Sequence, residues 1–510
     1  MADRHFVNGG VDNLWGTIGT WSLTEGGAGG QAVPTAAEAV GFDAGSPNCT
    51  IDTSARVCKT LTTSAYTGTL TFDQQLSVSG SITIGASTGF AGATTNRLRM
   101  ITTGTWTTNG KTIPQDIEIG PTTSLTSTLA DAFTTSGTLY LTNTSGTTFA
   151  GNFHITAADC AISGTQTVTI VHDVTITGLL TIADATVLNG LFNWNVGSLT
   201  MTGGTTGTST IILTGGTWQG AEVCATNLSF AGDVIVSGSV FFMQGGTAKT
   251  LTYTSGTITT TDSTLTIDAS CTLNTNGMSW NNITISSVAT LTINSLLTAT
   301  GTLTLPNAAI TFAGTAGFTV GTLTHTNASI TRIFTFEEAV TYTITTAITA
   351  QHPATATEAI RYTYTSAHAS TKAVITLGYG ATQNIAWMDP TRIDSSLGQP
   401  IFSYKGVFTD SLNWSDDLGH GRIIPHAGGE TVTVAGITKD NSGVALGSCD
   451  VYLFRDNGGD TATYIAYQES NSVTGAYSFT VFPGSTYFVV AFKGGATPVM
   501  DVTDRTVTAV

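Results

Sequence analysis

Charge is scarce in this sequence. Only 10% of the 510 residues are charged, where an average soluble domain has roughly a quarter. Basic residues are scarcer still, with 17 Lys+Arg against 33 Asp+Glu and a net charge of −16. A chain so poor in cations has no general means of holding a phosphate backbone, so nucleic acid is excluded as a partner. Long apolar runs are also missing. No stretch reaches the length of a membrane span, and insertion into a bilayer is not expected. The opening Met1–Phe6 has no basic segment followed by an apolar one. The expectation is therefore a product without a secretory signal, made in the cytoplasm.

The six cysteines (Cys49, Cys58, Cys160, Cys224, Cys271, Cys449) contain no CxxC and no Cys/His grouping at zinc spacing. Cys49 and Cys58 are either paired across a turn or, like the rest, buried thiols that pack as small apolar side chains. GxSxG, HExxH and P-loop sequences are absent. Gly26–Gly30 is glycine-rich, but no Lys-Ser/Thr and no helical pattern follow it. It is read as a turn, not a phosphate cradle. No cofactor is expected.

What is present is a monotonous texture from about Tyr66 to Thr324. Thr67–Phe72 (TGTLTF), Val174–Ile182 (VTITGLLTI), Leu291–Ile293 (LTI) and Gly301–Leu305 (GTLTL) all alternate apolar with hydroxyl or small residues. Period two is the strand period, and Val, Ile and Thr suit a pleated surface. Hydrophobic residues make up 41% of the chain, so a core is available despite the low charge. Disorder, which combines high charge with few β-branched residues, is excluded. Such recurrence without a strict consensus predicts a parallel β-solenoid, each coil stacking on the last at about 4.8 Å. At roughly 20 residues per coil this stretch makes about 13 coils and a rod of roughly 60 Å. An antiparallel sandwich array is the alternative, but Asn-Gly hairpin signals are sparse (Asn109-Gly110, Asn189-Gly190, Asn276-Gly277).

The flanks differ. Residues 1–60 carry Phe6, Trp15, Trp21 and Phe42, a set able to form an aromatic cap on the first coil; residues 61–328 are the solenoid proper. Residues 329–428 bring aromatics and charge. Longer antiparallel strands are expected over 330–368, with Gln351–Pro353 a connection and 354–360 a helical turn. Trp387, Phe402, Tyr404, Phe408 and Trp414 are expected to cover the last coil. Residues 429–510 read as a separate small β-sandwich, with strands in 431–438, 449–454, 464–467, 474–481 and 487–492 and a turn at Asp440–Gly443.

Three resemblances follow from these residues. Arg4–Gly10, Gly19–Ser22, Gly26–Gly30, Val33–Ala36, Phe42–Ala44, Ser46–Asp52, Arg56–Leu61 and Tyr66–Leu70 resemble the N-terminal segment of β-solenoid virion proteins of tailed bacteriophages, over about the first seventy residues. Ile385–Asp389, Arg392–Pro400, Phe402–Tyr404 and Asn413-Trp414 look like the closing coil of bacterial and phage β-helix proteins. Gly436, Gly443, Val451, Gly475, Tyr477, Pro483, Gly484 and Tyr487 resemble the pattern of carboxypeptidase-regulatory-like, transthyretin-like sandwiches. Together they imply an all-β chain: a right-handed parallel β-solenoid with capped ends, then an Ig/transthyretin-like sandwich. The function implied is a non-enzymatic virion component, a fibre, spike or capsid-attached appendage. Separately, a long solenoid with few charges exposes broad Thr, Ser and Val ladders that side-by-side packing would bury, so a homotrimer is expected. The Gly-rich, loop-like start is expected to attach to other virion proteins and the terminal module to contact a host glycan or protein. A glycan depolymerase and a bacterial surface adhesin are the alternatives.

Candidate residues were weighed on that basis. Asp131, Asp159, Asp173 and Asp184 sit in turn contexts, where Asp usually holds backbone amides. Glu337 and Glu338 are adjacent and, on a strand, would point to opposite faces, unlike the facing pair that glycoside cleavage needs. Asp416, Asp417, His420 and His426 form the best metal-like cluster, with a solvated linker as the plainer reading. Asp456–Asp460 lacks the remainder of a calcium loop. His154, His172 and His325 stand singly. Tyr452, Tyr464, Tyr467 and Tyr487 are candidates for partner or glycan contact, the alternative being that they fill the sandwich core.

Overall fold

The computed structural model describes residues 3–7, 12–52, 54–120, 124–151, 153–220, 223–242, 248–260, 263–275, 278–286, 290–306, 308–325, 331–350, 361–378, 381–385, 387–398, 401–403, 409–411, 414–416, 432–440, 442–456, 462–481, 486–494, 499–502 and 507–508. It divides into two compact units, residues 1–245 with 249–263, and residues 246–248 with 264–510. The fold is all-β with a parallel β-solenoid of about 15 turns counted over both units. Among the described residues the helical content is one 3-10 turn, Ile18–Thr20.

In the first unit parallel stacking begins at Arg4–Phe6, which pairs with Ala39–Gly41, which pairs with Thr60–Thr62. It continues through coils such as Phe133–Leu141, Ile155–Ile162, Val174–Ile182 and Asn193–Met201, each hydrogen-bonded in parallel to the next. Alternation dictates the packing. In Val174–Ile182 the residues Val174, Ile176, Leu180 and Ile182 are buried, while Thr175 and Thr181 are half-buried. One ladder of Val, Ile and Leu therefore fills the coil interior, broken by large fillers such as Trp106, Trp194 and Trp218.

The middle of each long run is a corner. Phe133–Leu141, Val174–Ile182 and Leu297–Leu305 place Gly137, Gly178 and Gly301 at the same fifth position. Backbone pairing slips there, between Ile176 and Leu179 in the second case. An added Cβ would sit 2.8 Å from the Gln115 carbonyl carbon, 2.9 Å from the Ala158 oxygen and 2.7 Å from the Asn281 oxygen respectively. Glycine at the corner lets one coil descend onto the next.

The second unit repeats the scheme. Leu297–Leu305 pairs with Phe318–His325, which pairs with Thr341–Ala350, which pairs with Ala373–Leu377 and Thr382–Ile385. The antiparallel strands expected over 330–368 are not found among the described residues. Arg332–Phe336 lies parallel to both Ile310–Phe312 and Tyr362–Ser366, and the latter lies parallel to Met388–Thr391. Phe334, Phe336, Tyr362 and Tyr364 are all buried. They take the inward positions that Val, Ile and Leu hold elsewhere, so the change of texture is a change of filler size, not of pairing. Residues 351–360, expected as a connection and helical turn, lie outside the described residues.

Apart from Arg4–Phe6 against Trp21–Ser22, the antiparallel strands among the described residues come after the solenoid: Val432–Ile437 pairs with Ala476–Val481. A second antiparallel sheet has Asp450–Asp456 flanked by Ala462–Glu469 and Thr486–Lys493, the last also pairing with Val499–Val502 and Val507–Thr508. Val434 and Phe479 of the first sheet share one buried cluster with Val451, Leu453, Ile465 and Val489 of the second. Asp440–Gly443 is a turn, closed by Gly443 N donating to Asp440 O at 2.9 Å.

Candidate functional site

The carboxylates of the first unit have structural work. Asp159 Oδ1 accepts from the backbone N–H of Leu179 at 2.7 Å, and Asp173 Oδ1 from that of Asn193 at 2.8 Å; each partner is 20 residues on, one coil later. Asp184 accepts from Gly164 N at 2.7 Å, one coil back. Asp131 accepts from Thr108 N and from the Thr108 hydroxyl at 2.8 and 3.0 Å. Sequence reasoning had these residues holding backbone amides, and the structure adds that the amides belong to the neighbouring coil.

The staple recurs where the corner glycine sits. Asp116 Oδ1 accepts from Thr138 N, and Asn282 Oδ1 accepts from Thr302 N, both at 2.8 Å, just past Gly137 and Gly301. Ser81 and Ser198 hydroxyls do the same for Thr105 N and Thr217 N. Pairing that slips at the corner leaves an N–H without its ladder partner, and a short polar side chain on the adjacent coil satisfies it.

One charged group escaped sequence reasoning. Glu118 is buried and receives Arg97 at 2.8 Å and Arg99 at 3.0 Å, with the Thr142 hydroxyl at 3.0 Å. Arg97 also lies over the Tyr140 ring, 3.6 Å from its centroid. Burial works to raise the Glu118 carboxyl; the hydrogen bond from Arg97 and the charge of Arg99 outweigh it and hold the group below its usual range. The available signal was Arg97-x-Arg99 with a lone Glu about one coil later. These groups close on one another, which makes a staple between coils, not an open reaction centre.

Glu337 and Glu338 correct an expectation. The strand ends at Phe336, and a turn with Ala339 at φ 55° follows. Released from strand alternation, both carboxylates approach His368, at 3.5 and 3.8 Å, on a surface where the imidazole is 56% exposed. His325 is the opposite case. It is buried between Phe334, Tyr362 and Tyr364, its Nε2 shares a 2.6 Å hydrogen bond with the Tyr364 hydroxyl, and Nδ1 has no partner among the described residues. Burial pulls its pKa down to about 3. His154 is exposed and bonded to the Thr175 hydroxyl; His172 packs against Phe192.

Of the metal-like cluster, Asp417, His420 and His426 lie outside the described residues, as does Asn457–Asp460; Asp416 lies on the strand Trp414–Asp416. Among the described residues no group of three or more His, Cys, Asp or Glu is arranged to hold a metal. All six cysteines are free and buried, so Cys49 and Cys58 are not paired, and burial pushes both thiols up.

The aromatic candidates separate. Trp15 and Trp21 meet at 4.9 Å, Phe6 lies 5.2 Å from Trp21 and 5.1 Å from Phe42, and Tyr66 joins at 5.0 Å from Phe42. Trp21 Nε1 donates to Trp15 O at 2.7 Å. Trp387 is buried under Arg361, 5.1 Å from the guanidinium carbon. The side chains of Phe402, Tyr404, Phe408 and Trp414 lie outside the described set. Tyr452 gathers Tyr464 at 6.3 Å, Tyr467 at 5.1 Å and Phe492 at 5.6 Å. The Tyr467 hydroxyl donates to Asp450 at 2.7 Å, and that bond pushes its phenol up to about 12. Tyr487 does not join them. It shares the inward side of its strand with Val489 and is fully buried in the core cluster, so it is not a surface contact.

No family model, curated protein or solved structure matches the chain.

Proposed function

We propose that this chain is a non-enzymatic structural protein of a bacteriophage virion, a fibre, spike or capsid-attached appendage assembled in the host cytoplasm. The observation that carries the reading is the staple system. Asp116, Asp131, Asp159, Asp173 and Asp184 are each engaged on the backbone of a neighbouring coil, an arrangement suited to holding a rod together. The resemblance of the first seventy residues to phage solenoid proteins supplies the setting.

In this reading the coils are right-handed. The cluster of Phe6, Trp15, Trp21, Phe42 and Tyr66 caps the first coil; Trp387 and Trp414 belong to the cap at the other end. The two antiparallel sheets after residue 429 form a transthyretin-like sandwich. Its face bearing Tyr452, Tyr464 and Tyr467 meets a host glycan or protein, and three copies associate side by side about a threefold axis. The N-terminal segment attaches to the particle. The test is truncation: a chain ending at Gly428 incorporates into particles and loses host binding, whereas a chain starting at Tyr66 fails to incorporate. The reverse outcome would make the sandwich the anchor.

A second reading, a glycan depolymerase, draws on the shared surface of Glu337, Glu338 and His368. Reducing ends released from capsular or lipopolysaccharide glycans, and lost in Glu337→Gln or Glu338→Gln, would decide for it.

A further inference from the structure

The two antiparallel sheets line a partly open cavity of about 210 Å³ beside their shared core. Its wall is apolar: Leu446, Cys449, Val489, Ala491 and Phe492, with the half-buried ring of Tyr477. Ile437, the buried Thr438 and two lysines, Lys439 and Lys493, complete the lining. Lys493 is anchored, its ammonium donating to the carbonyls of Gly447 and Ser448, the latter at 3.1 Å. Lys439 is exposed on the strand side of the Asp440 turn. The neighbouring Asp440 carboxylate is turned to its own loop, accepting from Ser442 N and Val444 N at 2.9 Å.

The cations of this chain fall into two groups, those held by a carboxylate and those, such as Lys249 and Arg392, that donate to backbone carbonyls. With a net charge of −16, carboxylates are plentiful, and Arg56, Arg97, Arg99, Arg361 and Lys372 are each paired with one. Neither Lys439 nor Lys493 has a carboxylate partner among the described residues. Two lysines lining one largely apolar cavity favour an anion with an apolar body. Size fits a single ring, since an apolar cavity of about 150 Å³ admits benzene.

We propose that this cavity binds a small amphipathic carboxylate, its apolar body against Leu446, Val489, Ala491 and Phe492 and its carboxylate between Lys439 and Lys493. The ammonium of Lys493 has three donors, two of them held by backbone carbonyls, and the third serves the ligand. Lys439 supplies the second charge. The proposal is independent of the virion reading, because it concerns only what the C-terminal sheets bind.

The experiment is fluorine NMR on the full chain with 4-fluorobenzoate as probe and 4-fluorobenzyl alcohol as its uncharged counterpart. Specific line broadening is expected for the carboxylate, at least fivefold stronger than for the alcohol, and weakened by added salt. Lys439→Glu, an exposed substitution whose folding is checked by an unchanged melting curve, is expected to weaken the carboxylate by at least tenfold, and Lys439→Arg to retain it. Equal broadening by the two probes, no broadening at millimolar protein and probe, or full binding by Lys439→Glu would each overturn the proposal.

Discussion

Acidification should open the coil around His325 before the rest of the solenoid. In the folded chain the ring is boxed by Phe334, Tyr362 and Tyr364, and burial lowers its pKa from 6.5 to about 3. No charged group is among these neighbours. The folded state therefore resists a proton that the open state accepts. This stability is fully present above pH 6.5 and is lost as pH falls from there towards 3. At pH 5 the difference is about 1.5 pH units of binding, or about 2 kcal/mol, equivalent to about a 30-fold increase in local opening. Hydrogen exchange of peptides covering Phe318–His325 and Tyr362–Ser366, corrected for the intrinsic pH dependence of exchange, measures that opening. His325→Phe keeps an aromatic filler in the box and removes the titrating group, so the difference between the two proteins isolates the histidine from the carboxylates that titrate lower. Wild type should lose protection between pH 7 and 5 and the variant should not. Equal losses in both would refute the reasoning.

Other outcomes follow from the same structure. Asp131→Ala leaves Thr108 N and Asn109 N without their acceptor, while the Thr108 hydroxyl keeps the Ala132 carbonyl, and should destabilise locally by about 1–3 kcal/mol, read as faster exchange across Gly104–Thr107 and unchanged exchange in the antiparallel sheets. Because all six cysteines are free, reductant should leave the melting temperature unchanged; a lost disulfide would cost about 2–5 kcal/mol and lower it visibly. Light scattering at micromolar concentration should give three times the 52.6 kDa of one chain, and a monomer mass would contradict the proposed trimer.

The solenoid was legible because one rule, apolar residues alternating with small polar ones, is local and repeats for hundreds of residues. The absence of a fixed period has a structural cause. Backbone-linked positions on successive coils are 18 residues apart at Val196 and Thr214 but 29 apart at Arg332 and Arg361. What the sequence concealed was the partner across the coil. Residues 332–366 look like a new kind of strand when only neighbours along the chain are considered, yet their aromatics merely enlarge the interior of a parallel stack. The corner glycines are visible as glycines in VTITGLLTI and LTATGTLTL, but the Asp or Asn that staples each corner lies a coil away. Glu337 and Glu338 were assigned strand geometry one residue past the point where the strand ends. Tyr487 is the same residue type as Tyr452, Tyr464 and Tyr467 and differs in being fully buried in the core cluster.

The central claim, that this chain is a built-in part of a phage particle, is tested most directly by imaging intact purified particles carrying a label fused after Val510. The account predicts label at a fixed number of sites per particle, at the outer end of a projection. Particles free of label, with the tagged chain found only in the soluble fraction of the lysate, would contradict it.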